Sequence, residues 1–572
     1  MLRAHPADSN VRTRPISRRT ALRRALYAVV GCILCACNGD GSSGPASGAA
    51  GSGPTGPGQG SGGTPVTATA IDVLTWHNDA ARTGQMLAET TLTPTTVNTA
   101  HFGLKAMWAV DGRVDAQPLV AGSVTLAGGS VHDLVLAATE HDTVYAFDAH
   151  TGGVLWQKSM LGAGETSSDD RGCDQVTPEI GITATPTIDR TLGPSGTVFV
   201  TASSKNGSGQ YVQRLHALDL ASGAERTGSP VVVQATYPGS GDGSSGGVVT
   251  FDPAYYNERS ALLVLGGALV TTWGSHCDAR PYTGWILSYD EATLARRSVL
   301  NVTPNGEGGA FWNAGSGPAA DAGGSLYLLS ANGTFDTTLT ASGFPARGDF
   351  GNGFLKIATA GSLSVADYFA MSDTVAQSNG DSDLGSGGAM VLPDQTDASG
   401  MVHHLAVGAG KDANIYVVDR DSMGKFDAAA NRAYQTIGSA LGGSVYSSPA
   451  YYNGAVYYGA VGAPLQRFAL SSAKLQATAS SQSSTSFGYP GTTPSVSANG
   501  ASGGIVWAVQ NATPAVLHAY DAGDLTRELY NSSQNAARDS LGPGNKFITP
   551  TISGGQVYVG TTNSVAVFGP LP

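Results

Sequence analysis

Alternating apolar and polar residues recur along the chain in short runs, and many of these runs share one ending. The fullest spans Val144 to Trp156, VYAFDAHTGGVLW: an alternating run, an Asp, a Thr-Gly turn, then a second run closed by Trp. Weaker copies begin at Leu215, Ile286, Phe354, Ile415, Leu465, Leu517 and Val565, which makes eight. Period-two alternation is what a half-buried strand requires, because successive side chains point to opposite faces of the sheet. A repeat of about 40–70 residues built from such strands cannot bury its faces alone, so copies must stack radially into a ring. The pattern predicts an all-β fold, an eight-bladed β-propeller of four-stranded blades.

Within each blade the strands run from A, innermost, to D, outermost. A small or polar residue followed by Pro marks the A strand at Gln117-Pro118, Thr185-Pro186, Ser448-Pro449, Thr493-Pro494 and Thr549-Pro550. Looser equivalents lie at Gly247-Val248-Val249, Gly317-Pro318-Ala319 and Gly388-Ala389-Met390, for blades three to five. The eighth copy offers strands A, B and C before Pro572. Gly103 to Trp108 repeats the Gly-to-Trp ending of the first blade and is expected to supply the missing outer strand. Closing the ring in this way removes both free sheet edges, which would otherwise invite aggregation.

Connections from D to A and from B to C emerge on one face. The long segments Gly239 to Gly246, Asn305 to Gly317, Asn332 to Asp349 and Ser372 to Gly388 all fall there. A rigid ring with elaborated loops on one side is where binding or chemistry is expected. Glu140, Asp142, Asp174 and Glu179 make this face acidic, and His141 and His276 on it are isolated candidates for metal ligands.

Composition narrows the partners. The 572 residues have a net charge of −12 and only 13% charged residues, and the body of the chain has no Lys/Arg cluster. Nucleic acid, whose phosphates demand positive surface, is therefore excluded. The one basic cluster, Ser17 to Arg24, precedes an apolar run from Ala25 to Cys37. That run is too short for a spanning helix, which needs ~20 residues, and with basic flanks it marks residues 1–36 as an export signal. Residues 37–70 are mostly Gly, Ser, Pro, Thr and Ala, a composition that forms a flexible tether. Residues 71–572 are left for the propeller. Outside the signal region only Cys173 and Cys277 remain, and in an oxidising compartment they are expected to form one disulfide.

Leu34-Cys35-Ala36-Cys37 resembles the lipobox of bacterial lipoproteins, with Cys37 as the acylated residue; Val29-Val30-Gly31-Cys32 is an earlier match. Ser17-Arg18-Arg19-Thr20-Ala21-Leu22 resembles a twin-arginine export motif. These resemblances imply a protein lipid-anchored to a bacterial membrane, on its periplasmic or cell-surface side.

The Ala-x-Asp-x-x-Thr-Gly-x-x-x-Trp phrase at Ala146 to Trp156 is similar to the tryptophan-docking repeat of the quinoprotein dehydrogenase propellers, and Leu92 to Gly112 resembles the opening of that ring. That family holds pyrroloquinoline quinone (PQQ), usually with calcium. The resemblance implies Trp312, in Gly308-Gly309-Ala310-Phe311-Trp312, as the residue stacked on the quinone. It implies Asn332, and more weakly Asp278, as calcium ligands. Asp349, in Arg347-Gly348-Asp349, takes the place of the catalytic base, and Lys411 that of the cation polarising a quinone carbonyl. There is no adjacent cysteine pair, no matching calcium-binding Glu and no Cys-x-x-Cys-His haem motif. Non-enzymatic scaffold propellers, such as the BamB-type outer-membrane assembly lipoproteins, share the repeat phrases. Two functions follow. The first is a membrane-anchored binding or scaffold module, taking a protein, glycan or small molecule on the long-loop face. The alternative is a PQQ- and calcium-dependent dehydrogenase of an alcohol or sugar.

Overall fold

A computed structural model describes residues 70–572. The export signal, Cys37 and nearly all of the tether lie outside the described residues. Among the described residues no helix is long and apolar enough to cross a membrane.

Eight blades, each built on four antiparallel strands, succeed one another along the chain, and three of them carry a short fifth strand. Blade one is Leu119–Thr125, Val131–Ala138, Thr143–Asp148 and Val154–Ser159. The C strands of the following blades are Tyr211–Asp219, Trp285–Asp290, Gly353–Ala358, Ile415–Asp419, Ala463–Ser471, Val516–Asp521 and Ser564–Pro570. Each falls on one of the repeat copies. The closing strand is also where the repeat placed it: Phe102–Ala109 pairs antiparallel with Ser564–Pro570.

One assignment is corrected. Val248–Thr250 is not the inner strand of blade three but half of a hairpin with Thr236–Pro238. The inner strand is Leu263–Leu265, paired with Ala268–Thr272. Leu263 is buried with Val270 and Ile286 in the core, whereas Val248 is exposed; both runs alternate, and only packing separates them.

Because each blade is covered on both faces by its neighbours, its middle strands are buried throughout, as at Leu326–Leu329 and Ile415–Val418. Successive blades share mixed hydrophobic clusters, such as Tyr327, Leu329 and Phe354 of blade four with Ala406, Tyr416 and Val418 of blade five. The repeat phrase explains its own spelling. Trp108, in the outer strand of blade eight, lies over Gly152 in the turn of blade one, where an added Cβ would stand 2.2 Å from the indole nitrogen. Trp156 docks likewise over Gly223 of blade two and donates from its indole N–H to Leu220 O at 3.1 Å. Both glycines have positive φ, 72° and 67°. The Thr-Gly turn is held by Asp148, which accepts from the backbone of His150 and Thr151 and from the Thr151 hydroxyl.

The segment Ile71 to Gly84 has no counterpart among the repeats. It runs past the inner strands and touches all eight. Val73 pairs with Val120, and Leu74, Ala80, Ala81, Thr83 and Gly84 accept from the backbone of Ile188, Ala320, Val391, Tyr451 and Val496. Ile71 bonds Ser553 of blade eight, and the buried Arg82 donates to Leu262 O before blade three. The segment satisfies polar groups on inner edges that would otherwise be buried unpaired. It closes the channel at the end of the A–B turns.

Candidate functional site

A cavity of about 410 Å³ opens on the opposite, long-loop face. Its walls come from D–A or B–C connections of seven blades: Cys173 before blade two, Cys277 in blade three, Trp312 and Asn332 at blade four, Asp383 and Lys411 at blade five, and Tyr446, Tyr489 and Phe547 from the rest. Only a cavity on the ring axis can collect residues from so many blades.

Trp312, Asn332, Lys411 and Asp278 all line this one cavity, so the loops bring four of the five implied site residues together. Trp312 can approach because Gly274 opposite has no Cβ; one there would lie 3.3 Å from the indole. The turn after Trp312 places two successive non-glycine residues, Asn313 and Ala314, at φ 45° and 52°. On the facing wall Cys277 and Asp278 do the same, at 48° and 55°. Left-handed non-glycine backbone costs energy and concentrates at ligand sites. Cys173 and Cys277 are joined as a disulfide, which ties the D–A segment entering blade two to the B–C loop of blade three.

Asp349 is placed elsewhere. It is fully buried and absent from the cavity wall; its Oδ1 accepts from the Asn305 amide at 2.8 Å. Burial raises its pKa, and it pins the loop entering blade four. Beside Asp174 and Asp278, the cavity wall carries two carboxylates that sequence reasoning passed over, Asp381 and Asp383. Lys411 Nζ lies 2.6 Å from Asp381 Oδ1 and 2.6 Å from Asp383 Oδ1. Burial works against the Lys411 ammonium, but the two carboxylates outweigh it and hold its pKa above the usual lysine value. Burial raises the pKa of Asp383, with Lys411 opposing. The signal was present: Gly380-Asp381-Ser382-Asp383 is as much a Gly-Asp phrase as Gly348-Asp349.

Asn332 Nδ2 donates to Asp381 Oδ1 at 2.8 Å, while its Oδ1 is buried without a donor in the protein. Asp278 Oδ1 accepts from the Ser275 and Tyr282 hydroxyls. The isolated histidines are engaged: His141 Nδ1 faces Glu179 at 2.8 Å, and His276 Nε2 faces Asp170 O at 3.0 Å. Among the described residues no three His, Cys, Asp or Glu side chains are grouped as a metal-binding set.

No protein-family model matches the chain, and no curated protein does. Solved structures do. A quinohemoprotein alcohol dehydrogenase from Pseudomonas putida HK5 aligns with TM-score 0.58 and 13% identity over 87% of this chain and 80% of its own. The quinohemoprotein alcohol dehydrogenase of Comamonas testosteroni gives 0.54 and 14%, with the same coverage. A europium-containing methanol dehydrogenase gives 0.54 and 11%, over 87% of this chain and 98% of its own. At such identities the likeness establishes the fold alone, and this chain is an eight-bladed β-propeller.

Proposed function

We propose that this protein is an exported, membrane-anchored binding module that holds a small planar ligand in the axial cavity of its ring. One observation carries the reading: Trp312, Asn332, Asp278 and Lys411, implied separately by sequence, line a single cavity of about 410 Å³. Ligand pockets typically run to 300–1,000 Å³ and combine aromatic walls with a few convergent polar groups. Tyr282, Trp312, Tyr446, Tyr489 and Phe547 supply the aromatic share here. The lipobox-like Cys37 and the tether support anchoring. Cys37→Ser moving the protein from the membrane to the soluble fraction is the corresponding test.

A second reading, a PQQ-dependent dehydrogenase of an alcohol or sugar, is favoured by the buried Lys411–Asp383 pair in the same cavity. The residues fit the group. The Trp312 indole offers a flat floor, and the unpartnered Asn332 Oδ1 beside Asp381 offers oxygens to a hard cation such as calcium. When bound, the quinone supplies a two-electron oxidant. Asp383, its basicity raised by burial, would take the proton of the substrate hydroxyl. Lys411 would keep Asp383 ionised and present a fixed positive charge to the ligand. The role first assigned to Asp349 thus passes to Asp383.

The deciding experiment is titration of the purified protein with PQQ and calcium, followed by tryptophan fluorescence and calorimetry. Saturable one-to-one binding supports both readings. Dye-linked turnover abolished by Asp383→Asn, with binding retained, selects the enzyme. Absence of quinone binding at high micromolar concentration removes the dehydrogenase and leaves a module for another ligand.

A further inference from the structure

Arg259 was singled out by no motif, yet its side chain lines the cavity and touches the segments before three neighbouring blades. It belongs to the segment entering blade three. Its Nη1 donates to Thr183 O, before blade two, at 3.0 Å, and lies 3.8 Å from Asp115, before blade one. Its guanidinium carbon stands 4.9 Å from the ring centroid of Phe547, before blade eight. The side chain is only 4% exposed, lines the axial cavity, and keeps Nη2 without any partner.

A buried guanidinium N–H without an acceptor is costly, and such a group normally faces an ion or ligand. The charge around it leaves that acceptor to come from outside. Lys411, the other cation in the cavity, is already matched by Asp381 and Asp383. Around Arg259 the carboxylate Asp115 has Asn545 Nδ2 at 2.8 Å as its own donor. Glu140 lies beside Arg113 at 3.9 Å, and burial together with Asp115 pushes its carboxyl up to about 11. Thr183 O and Asp115 both lie at Nη1 and leave Nη2 without an acceptor.

We infer that Arg259 is an anion-binding residue at the floor of the axial cavity, and that the ligand carries a carboxylate group seated on it. The inference rests on the small-ligand reading of this cavity and names the chemistry of that ligand. A guanidinium suits the role because its fork of donors matches the two oxygens of a carboxylate. Such a ligand is dipolar in its demands: an anionic end at Arg259, and neutral or cation-bridged groups toward Asp278 and Asp381.

Calorimetric titration of the full-length protein with tricarballylate, a small tricarboxylate, and separately with PQQ, tests this. Wild-type protein should bind tricarballylate saturably and one-to-one. Arg259→Gln should weaken it about tenfold or more, and Arg259→Lys, which keeps the charge, should weaken it less. No saturable binding by the wild type up to about 20 mM overturns the inference without recourse to a variant that fails to fold. Equal affinity in a folded Arg259→Gln protein overturns it as well. Tricarballylate binding without PQQ binding removes the quinone and keeps the Arg259 site. PQQ binding that is indifferent to Arg259→Gln keeps the small-ligand cavity and removes the role of Arg259.

Discussion

Lys411 Nζ stands 2.6 Å from Asp383 Oδ1, in a cavity wall where the Asp383 side chain is 6% exposed. The pair joins the B–C loop of blade five to the D–A segment entering the same blade. It is reinforced by the Lys411 amide, which donates to Asp383 O at 3.0 Å. Removing one partner strands the other. Lys411→Met should cost about 3–5 kcal/mol at neutral pH, the usual penalty for an uncompensated buried charge. Adding Asp383→Asn should return part of that loss. A urea double-mutant cycle measures it, and strictly additive effects would refute the coupling.

Glu140 gives the protein a stability that falls as pH rises. Its folded pKa, about 11, lies above the usual 4.5, chiefly because burial penalises the charged form. The folded state therefore keeps a proton that the unfolded chain releases. The contribution is complete below about pH 4.5 and declines through the window up to the folded value. Glu140→Gln does not titrate. Its Tm should exceed that of the wild type near pH 9 and match it near pH 4. A constant difference between the two proteins at every pH would contradict the assignment.

Gly152 is required by Trp108. An added methyl would meet the indole at 2.2 Å in a turn with φ 72°. Gly152→Ala should lower stability by about 1–3 kcal/mol through steric displacement and backbone strain. Urea unfolding with an unchanged slope would show it. The same change at Gly164, where nothing lies within 4 Å although φ is 75°, should cost less.

The Cys173–Cys277 disulfide closes a sequence separation of 104 residues. Its loss in a Cys173→Ser/Cys277→Ser protein should cost about 4–5 kcal/mol in the chain-entropy account. Both cysteines line the axial cavity, so ligand affinity should fall together with stability. Unchanged denaturation midpoints in the double variant would count against it.

Most of the site was legible one residue at a time. Trp312, Asn332 and Lys411 were each approached through a local phrase, and each lies in the cavity wall. Asp349 and Asp381 each follow a glycine, and the first ends up buried behind the wall while the second lies in it, with Asp383 two residues on. The difference is which way a loop turns, and that is set by contacts with other blades. Arg259 has no phrase around it, because its role comes from reaching the segments before blades one, two and eight.

The number of blades, the positions of the C strands and the closing strand could all be read along the chain. Each of these is written in local alternation and in a turn that must accept the next tryptophan. That Ile71 to Gly84 runs along the inner strands while a cavity remains on the long-loop face comes from packing between blades, which no local stretch specifies. The segment there does not alternate as a strand does, since its hydrogen bonds go to eight separate inner edges rather than to one partner. The cavity likewise has no sequence of its own. It is the space left where seven blades' loops meet on the axis, and its chemistry follows from which side chains that meeting places side by side.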